Sequence, residues 1–282
     1  MLLGFNMLLW TPNVTEEHFP LFAKLKKVGY DGVEIPLFEG TPKSYRKVAQ
    51  ALKDNGLRAT AVAVIPDAAR DCTSSKASVR NAGLKHLKWA IDCLDAMNGE
   101  VLCGPFYQPL GAFSGGPPTE KERNGIVEVH KKAAQYAAKA GIKIAVEPLN
   151  RFECYALNTA GDAAEIVKRV AEPNYGFLYD TFHANIEEKD PVGVIAPTLK
   201  QINHVHVSEN DRGTPGKGHV PWKATMKALK DGRYDGWFVI EAFGRSLPAL
   251  AAATRVWRDL FPNTEEVYQF GHDFLRRQWA KA

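Results

Sequence analysis

Apolar residues along the chain gather in short, nearly unbroken runs, separated by longer stretches in which they recur every three or four positions. The short runs lie at 2–8, 32–37, 58–65, 100–105, 143–149, 175–181, 202–208 and 236–243. Runs without polar alternation predict strands covered on both faces, as in a parallel sheet flanked by helices. The periodic stretches, 15–28, 43–55, 78–97, 120–140, 160–171, 190–200, 221–231 and 248–260, predict amphipathic helices. Many end in glycine, as in KKVGYDG, KDNGLR and AKAGIKI, where a left-handed cap turns the chain into the next strand. Thr15 and Thr41-Pro42 read as helix starts, the latter placing proline in the first turn, where its missing N–H is tolerated.

Eight strand–helix units in succession predict an α/β fold, a (β/α)8 TIM barrel built as one domain spanning 1–282. A doubly wound open sheet is the alternative. Even spacing and the lack of a dinucleotide-binding glycine fingerprint favour closure. The stretch 264–279, with Phe270, Phe274, Leu275 and Trp279, predicts an extra C-terminal helix whose apolar face covers the barrel or a partner subunit. Three long aperiodic stretches, 66–77, 106–119 and 209–220, each follow a strand, which puts them on the face of a barrel where sites are built.

At 282 residues, 45% hydrophobic and 24% charged, the chain has the make-up of an ordinary globular domain. A net charge of +4 with no basic run argues against a nucleic-acid surface. No segment reaches the roughly 20 apolar residues of a membrane span. The opening MLLGFNMLLW has no basic residue before Lys24, so it reads as a buried first strand rather than a secretory signal. Cys72, Cys93, Cys103 and Cys154 form no C-x-x-C pair, which points to reduced thiols and a cytoplasmic location. Cys93 and Cys103 are expected to pack as small apolar groups, whereas Cys154 falls near the candidate site.

The chemistry concentrates at strand ends. Glu147, Asp180, His206 and Glu241 close, or nearly close, the runs KIAVEPLN, YGFLYDTFH, INHVHVSEN and WFVIEAF, at spacings of 33, 26 and 35 residues. Each spacing is about one strand-plus-helix unit, so a barrel would bring all four to one mouth. Three carboxylates and one imidazole make a hard donor set suited to Mn²⁺, Mg²⁺ or Co²⁺. A six-coordinate ion held by four side chains keeps an open edge for the adjacent carbonyl and hydroxyl oxygens of a ketose or polyol. As a Lewis acid it would acidify the hydrogen on the neighbouring carbon. Glu147 and Glu241, standing on opposite sides of that carbon, would then take and return the proton.

Each residue also has an ordinary reading. A lone strand-end glutamate is commonly salt-bridged at a surface, and Asp180 is well placed to cap the turn after its strand. His204 and His206 share a strand face, so the deeper one, His204, is expected in the core or behind the ligands. The joint reading gains weight because four unpaired polar groups interrupting four buried strands would each cost several kcal/mol. Arg212, in SENDRGTPGKG, follows the seventh strand, and the glycines around it match no phosphate-binding loop. Arg212, His183 and Glu153 lie on loops within reach of sugar hydroxyls, with structural ion pairs as the alternative. Phe243, two residues after Glu241, is expected on the same strand face as an apolar wall.

Four segments, EPLNRFE (147–153), YDTFHANIEE (179–188), HVHVSENDRGTPGKGHV (204–220) and VIEAF (239–243), carry a family resemblance. The chain resembles the ketose 3-epimerases, the D-tagatose 3-epimerase-like group that includes the L-ribulose and D-psicose/D-allulose 3-epimerases, within the xylose-isomerase-like TIM-barrel superfamily. The likeness runs over nearly the whole length. It implies a divalent metal, commonly Mn²⁺ or Co²⁺, at Glu147, Asp180, His206 and Glu241. It also implies that the two glutamates exchange the C3 proton through an enediolate, and that Glu153, His183 and Arg212 hold the O1–O3 end of the sugar. A homodimer or homotetramer acting on a free ketose is implied as well. The chain departs from the group at Asn6, where an aromatic is often found, and at Gln108, where a tryptophan commonly precedes the proline. Both bear on the pocket for the distal end of the sugar.

The resulting expectation is a cytoplasmic, metal-dependent epimerase acting at C3 of free ketoses. Its nearest alternative is an aldose–ketose isomerase of the hydroxypyruvate isomerase kind, moving a proton between C1 and C2 with the same residues. A multi-metal hydrolase resembling the apurinic endonucleases would need further ligands and a basic groove, which eight histidines and scattered charges do not offer. A sugar-binding protein without catalysis would need no paired glutamates.

Overall fold

All eight apolar runs form strands: β1 (Leu2–Asn6), β2 (Gly32–Pro36), β3 (Arg58–Val62), β4 (Val101–Gly104), β5 (Lys143–Val146), β6 (Tyr175–Asp180), β7 (Ile202–Val207) and β8 (Trp237–Ile240). The computed structural model describes residues 1–282. The strands pair in parallel and in chain order, and β1 returns to β8 to close the barrel. Each strand stops short of its apolar run, because the last residues of the run turn outward into the loops of the C-terminal mouth.

Alternation along the strands sorts the side chains into two cores. Phe5, Ile35, Leu102, Ile144, Phe177, Val205 and Phe238 point outward and pack under the helices. Val62, Val101, Cys103, Ala145, Leu178, Trp237 and Val239 fill the barrel interior. Between β6 and β7 the register slips after Phe177, so that Leu178 pairs with His204 and Asp180 with His206. Gly176 makes this possible: a Cβ there would meet the Asn203 side chain and the Gln201 carbonyl at 2.5 Å. At the opposite end Arg58 closes the floor with a two-pronged hydrogen bond to Glu100 (2.5 and 2.6 Å) while lying over the Trp237 ring.

The outer layer comprises α1 (Phe19–Val28), α2 (Pro42–Asp54), α3 (Ala77–Asp95), α4 (Glu120–Ala138), α5 (Ala160–Val170), α6 (Thr181–Glu187), α7 (Ile195–Thr198), α8 (Trp222–Asp231), α9 (Pro248–Thr254) and α10 (Thr264–Lys281). Thr41, Thr119 and Thr159 cap α2, α4 and α5 through their hydroxyls, each worth about 1 kcal/mol. Two expected helices differ. The stretch 190–200 becomes helical only at Ile195, as the four-residue α7 followed by a 3-10 turn at Leu199–Gln201, because Pro191 and Gly193 break the pattern before it. The sixth unit's first helix instead starts directly on Asp180. The stretch 248–260 ends at Thr254, where Arg255 takes a left-handed conformation (φ 60°). The C-terminal helix α10 packs against α8 and α1, and the Tyr30 hydroxyl donates to the Tyr268 carbonyl (2.7 Å). It therefore covers the barrel and completes the ring that the short α9 leaves open. No helix is long and apolar enough to cross a membrane.

Candidate active site and metal centre

The parity that sends Ala145, Leu178, His204 and Val239 into the barrel sends Glu147, Asp180, His206 and Glu241 there too, two positions further toward the mouth. Their ligand atoms all lie within 4.8 Å of one another. His206 Nδ1 is 3.4 Å from Glu241 Oε1, 3.7 Å from Glu147 Oε1 and 3.8 Å from Asp180 Oδ2. That nitrogen is buried and has no hydrogen-bond partner. Donors arranged around one small cation stand about 3–4 Å apart, too far for hydrogen bonds and right for a shared ion. Three carboxylates here face one guanidinium, and a divalent cation would remove the imbalance. The residues present fit such an ion.

The electrostatics tell the same story. Burial, reinforced by Glu241 and Asp180, pushes the Glu147 carboxyl well above the usual range. Burial would raise Asp180 too, but His206 and the Arg212 guanidinium outweigh it and hold that carboxyl below its ordinary value. Asp180 divides its oxygens: Oδ1 accepts from the Phe182 amide (2.6 Å) to cap α6, leaving Oδ2 toward His206 and Arg212. The capping reading of this residue therefore holds, with one oxygen left to face the group.

Arg212 and His183 stand against the same group. Arg212 Nη1 donates to Glu241 Oε2 (2.6 Å) and Asp180 Oδ2 (3.3 Å), and Nη2 lies 2.9 Å from His183 Nε2. The guanidinium is held between the rings of Phe182 (3.9 Å) and Phe243 (4.9 Å). Phe243 thus acts as a wall for Arg212, a little past the end of β8 rather than on it. Burial and the guanidinium push the His183 pKa down to about 3, which keeps its ring neutral. Glu153, raised by burial, accepts from Asn150 Nδ2 (2.8 Å) and faces Arg212 at 3.9 Å. A cavity of about 420 Å³ opens beside Glu153 and Arg212, lined also by Phe152, Phe182 and Trp257.

Several residues outside the expected set complete the arrangement. Glu34 sits fully buried below the ligands, with His206 Nε2 at 2.7 Å and His204 Nε2 at 2.8 Å. Its only signal in the sequence is an acid inside the apolar strand GVEIP, a buried charge that must find partners. Glu209 anchors the 209–220 loop, accepting from Gly216 N (2.6 Å), Trp222 Nε1 (2.8 Å), Val220 N and Asn210 N. Asn6 turns its amide to Glu34 Oε1 (3.0 Å) and Glu241 Oε1 (3.3 Å), so it supports the ligands. Gln108 ties two loops together, donating to Ala112 O and accepting from Ala156 N. Cys103 packs in the barrel interior as expected, and its inward position on β4 also brings Sγ within 3.2 Å of Glu34 Oε2. Cys154 is buried against Tyr107 Oη (2.9 Å), and burial pushes its thiol up to about 11.

A closed parallel barrel with this mouth defines a class, and the sequence agrees: the chain belongs to the xylose isomerase-like TIM barrel family, whose pattern matches residues 22–278. Within that family it groups with the ketose 3-epimerases, which makes it an isomerase. It is 32% identical over 276 residues to a probable ketose 3-epimerase of Synechocystis sp., covering 98% of this chain and 96% of the relative. Identity to a ketose 3-epimerase of Arthrobacter globiformis is 31% over 279 residues, with the same coverage. The fold matches that of a D-allulose 3-epimerase from Methylomonas sp., solved in complex with D-allulose, at a TM-score of 0.92 and 29% identity, covering 99% of this chain and 97% of that one.

Proposed function

We propose that the protein epimerises free ketoses at C3 in a metal-dependent reaction, with Glu147 and Glu241 as the proton-exchanging pair. The observation that carries this is the convergence of both glutamates, from the ends of β5 and β8, on the unpartnered Nδ1 of His206. Glu147, Asp180, His206 and Glu241 would hold the cation, Mn²⁺ by preference with Co²⁺ or Mg²⁺ able to replace it. When bound it would supply Lewis-acid polarisation of the ketose carbonyl and its neighbouring hydroxyl.

The chain's own groups do the rest. One glutamate removes the C3 proton, and the other returns a proton to the opposite face, so the configuration inverts. Arg212, pinned by its two aromatic neighbours, offers a fixed positive charge where negative charge develops on the sugar oxygens. Neutral His183 and Glu153 orient the hydroxyls around it. Burial of Glu147, His183, Arg212 and Glu241 keeps bulk water from competing for the proton. Phe152 and Trp257, two-thirds exposed beside the cavity, form an apolar rim in keeping with a homodimer or homotetramer.

Incubating the Mn²⁺-supplemented protein with free ketoses and separating the products by chromatography tests the reading. Pairs of C3 epimers are expected. Aldose products in their place would favour transfer between C1 and C2.

A further inference from the structure

We infer that Glu34 is a positioning residue for the metal centre, fixing His206 as the tautomer whose Nδ1 is free to bind a cation. The inference rests on the metal reading above and extends it to a residue outside the ligand set.

Glu34 lies in the middle of β2 and is fully buried. Its Oε1 accepts from His206 Nε2 (2.7 Å) and Asn6 Nδ2 (3.0 Å). Its Oε2 accepts from His204 Nε2 (2.8 Å), Thr60 Oγ1 (2.9 Å) and Cys103 Sγ (3.2 Å). Five donors from four other strands therefore meet one carboxylate, which offers about four lone-pair sites. That saturation argues against a second cation among Glu34, Cys103, His204 and His206, although their ligand atoms are close enough to hold one.

A carboxylate can only accept. His206 Nε2 must then carry a proton, which leaves Nδ1 as the nitrogen whose lone pair a cation would take. Nδ1 faces three carboxylate oxygens at 3.4–3.8 Å, so a cation held by those oxygens would meet this nitrogen directly. The same rule explains why His204 Nδ1 is buried without a partner: it too is a bare lone pair, which is cheaper to bury than an orphaned N–H. Asn6 extends the hold to a second ligand, since its Nδ2 bridges Glu34 Oε1 and Glu241 Oε1. Glu34 thus orients His206 directly and Glu241 through one amide.

Two measurements test this. Calorimetric titration of Mn²⁺ into metal-free wild type, Glu34→Gln and Thr60→Val should show affinity about 10–100-fold weaker in Glu34→Gln. Thr60→Val, which removes one donor without touching His206, should stay near wild type. Histidine ¹⁵N spectra of the wild type with diamagnetic Mg²⁺ should show His206 protonated on Nε2 and not on Nδ1, a readout that a purely structural role would leave undetermined. Wild-type affinity in a folded Glu34→Gln, or a proton on Nδ1, would overturn the inference. Should Glu34→Gln fail to fold, the wild-type spectrum decides alone. A wild type that binds no Mn²⁺ would remove the metal reading itself, and this inference with it.

Discussion

Arg212 holds Glu241 at 2.6 Å through Nη1, so the guanidinium grips one of the two carboxylates proposed to move protons. Its planar head is clamped by Phe182 and Phe243, an arrangement that the round ammonium of lysine cannot copy. Arg212→Lys is expected to lower kcat/KM about 10²–10³-fold, the usual effect of losing one fixed donor, while circular dichroism stays native. Near wild-type turnover would show that charge alone suffices at this position.

The loop that carries Arg212 depends on Glu209. Arg212 itself has a left-handed backbone (φ 67°), uncommon for a residue other than glycine, and its amide donates to the Glu209 carbonyl (2.9 Å). Replacing Glu209 by Gln puts an NH₂ group against donors such as Gly216 N and Trp222 Nε1. We expect a loss of about 2–3 kcal/mol in denaturant unfolding, with kcat/KM falling as the loop relaxes. An unchanged unfolding midpoint would contradict this account of the loop.

Metal binding should be visible as stability. Mn²⁺ at 100 times its dissociation constant adds about 2.7 kcal/mol, a rise in Tm of about 5–10 °C for a chain of this size. A chelator should reverse the rise and abolish turnover. Asp180→Ala will melt lower in any case, because it loses the α6 cap, so the informative quantity is its response to Mn²⁺. An equal rise in wild type and variant would place the ion elsewhere.

Much of this was legible in the residues themselves. The eight strands announced themselves as unbroken apolar runs, and Glu147, Asp180, His206 and Glu241 as polar residues ending four of them. Glu34 escaped notice because its partners come from β1, β3, β4 and β7, far away in sequence. Phe182 was overlooked for a similar reason: its role depends on an arginine 30 positions on. Helix lengths after β6 and β8 were overestimated where Pro191 and Gly193, or a left-handed Arg255, stop a pattern that periodicity alone would continue. The contact of Cys103 with Glu34 is not legible in the sequence, because side-chain parity on β4 can be read only once the barrel is closed.

Stability should fall in mild acid, in part through His130. Burial pushes this ring down from about 6.5 to about 4, with Tyr175 Oη 2.6 Å from Nδ1 and the Phe106 carbonyl 3.2 Å from Nε2. Between those values the unfolded chain binds the proton and the folded ring does not. The neutral ring's contribution is therefore complete above about pH 6.5 and is lost as pH falls toward 4, a change of about 3 kcal/mol. Urea unfolding at pH 7.5 and 5 should show a smaller pH dependence in His130→Gln than in wild type; equal dependence would exclude His130 as a contributor.

The central claim is proton exchange at one carbon by a glutamate pair, and turnover in D₂O tests it most directly. Product isolated from the Mn²⁺-loaded wild type should carry deuterium at C3 and none at C1, and folded Glu147→Gln and Glu241→Gln should each lose turnover by about 10²–10⁴-fold. Deuterium at C1, product free of label, or full turnover in either variant would contradict it.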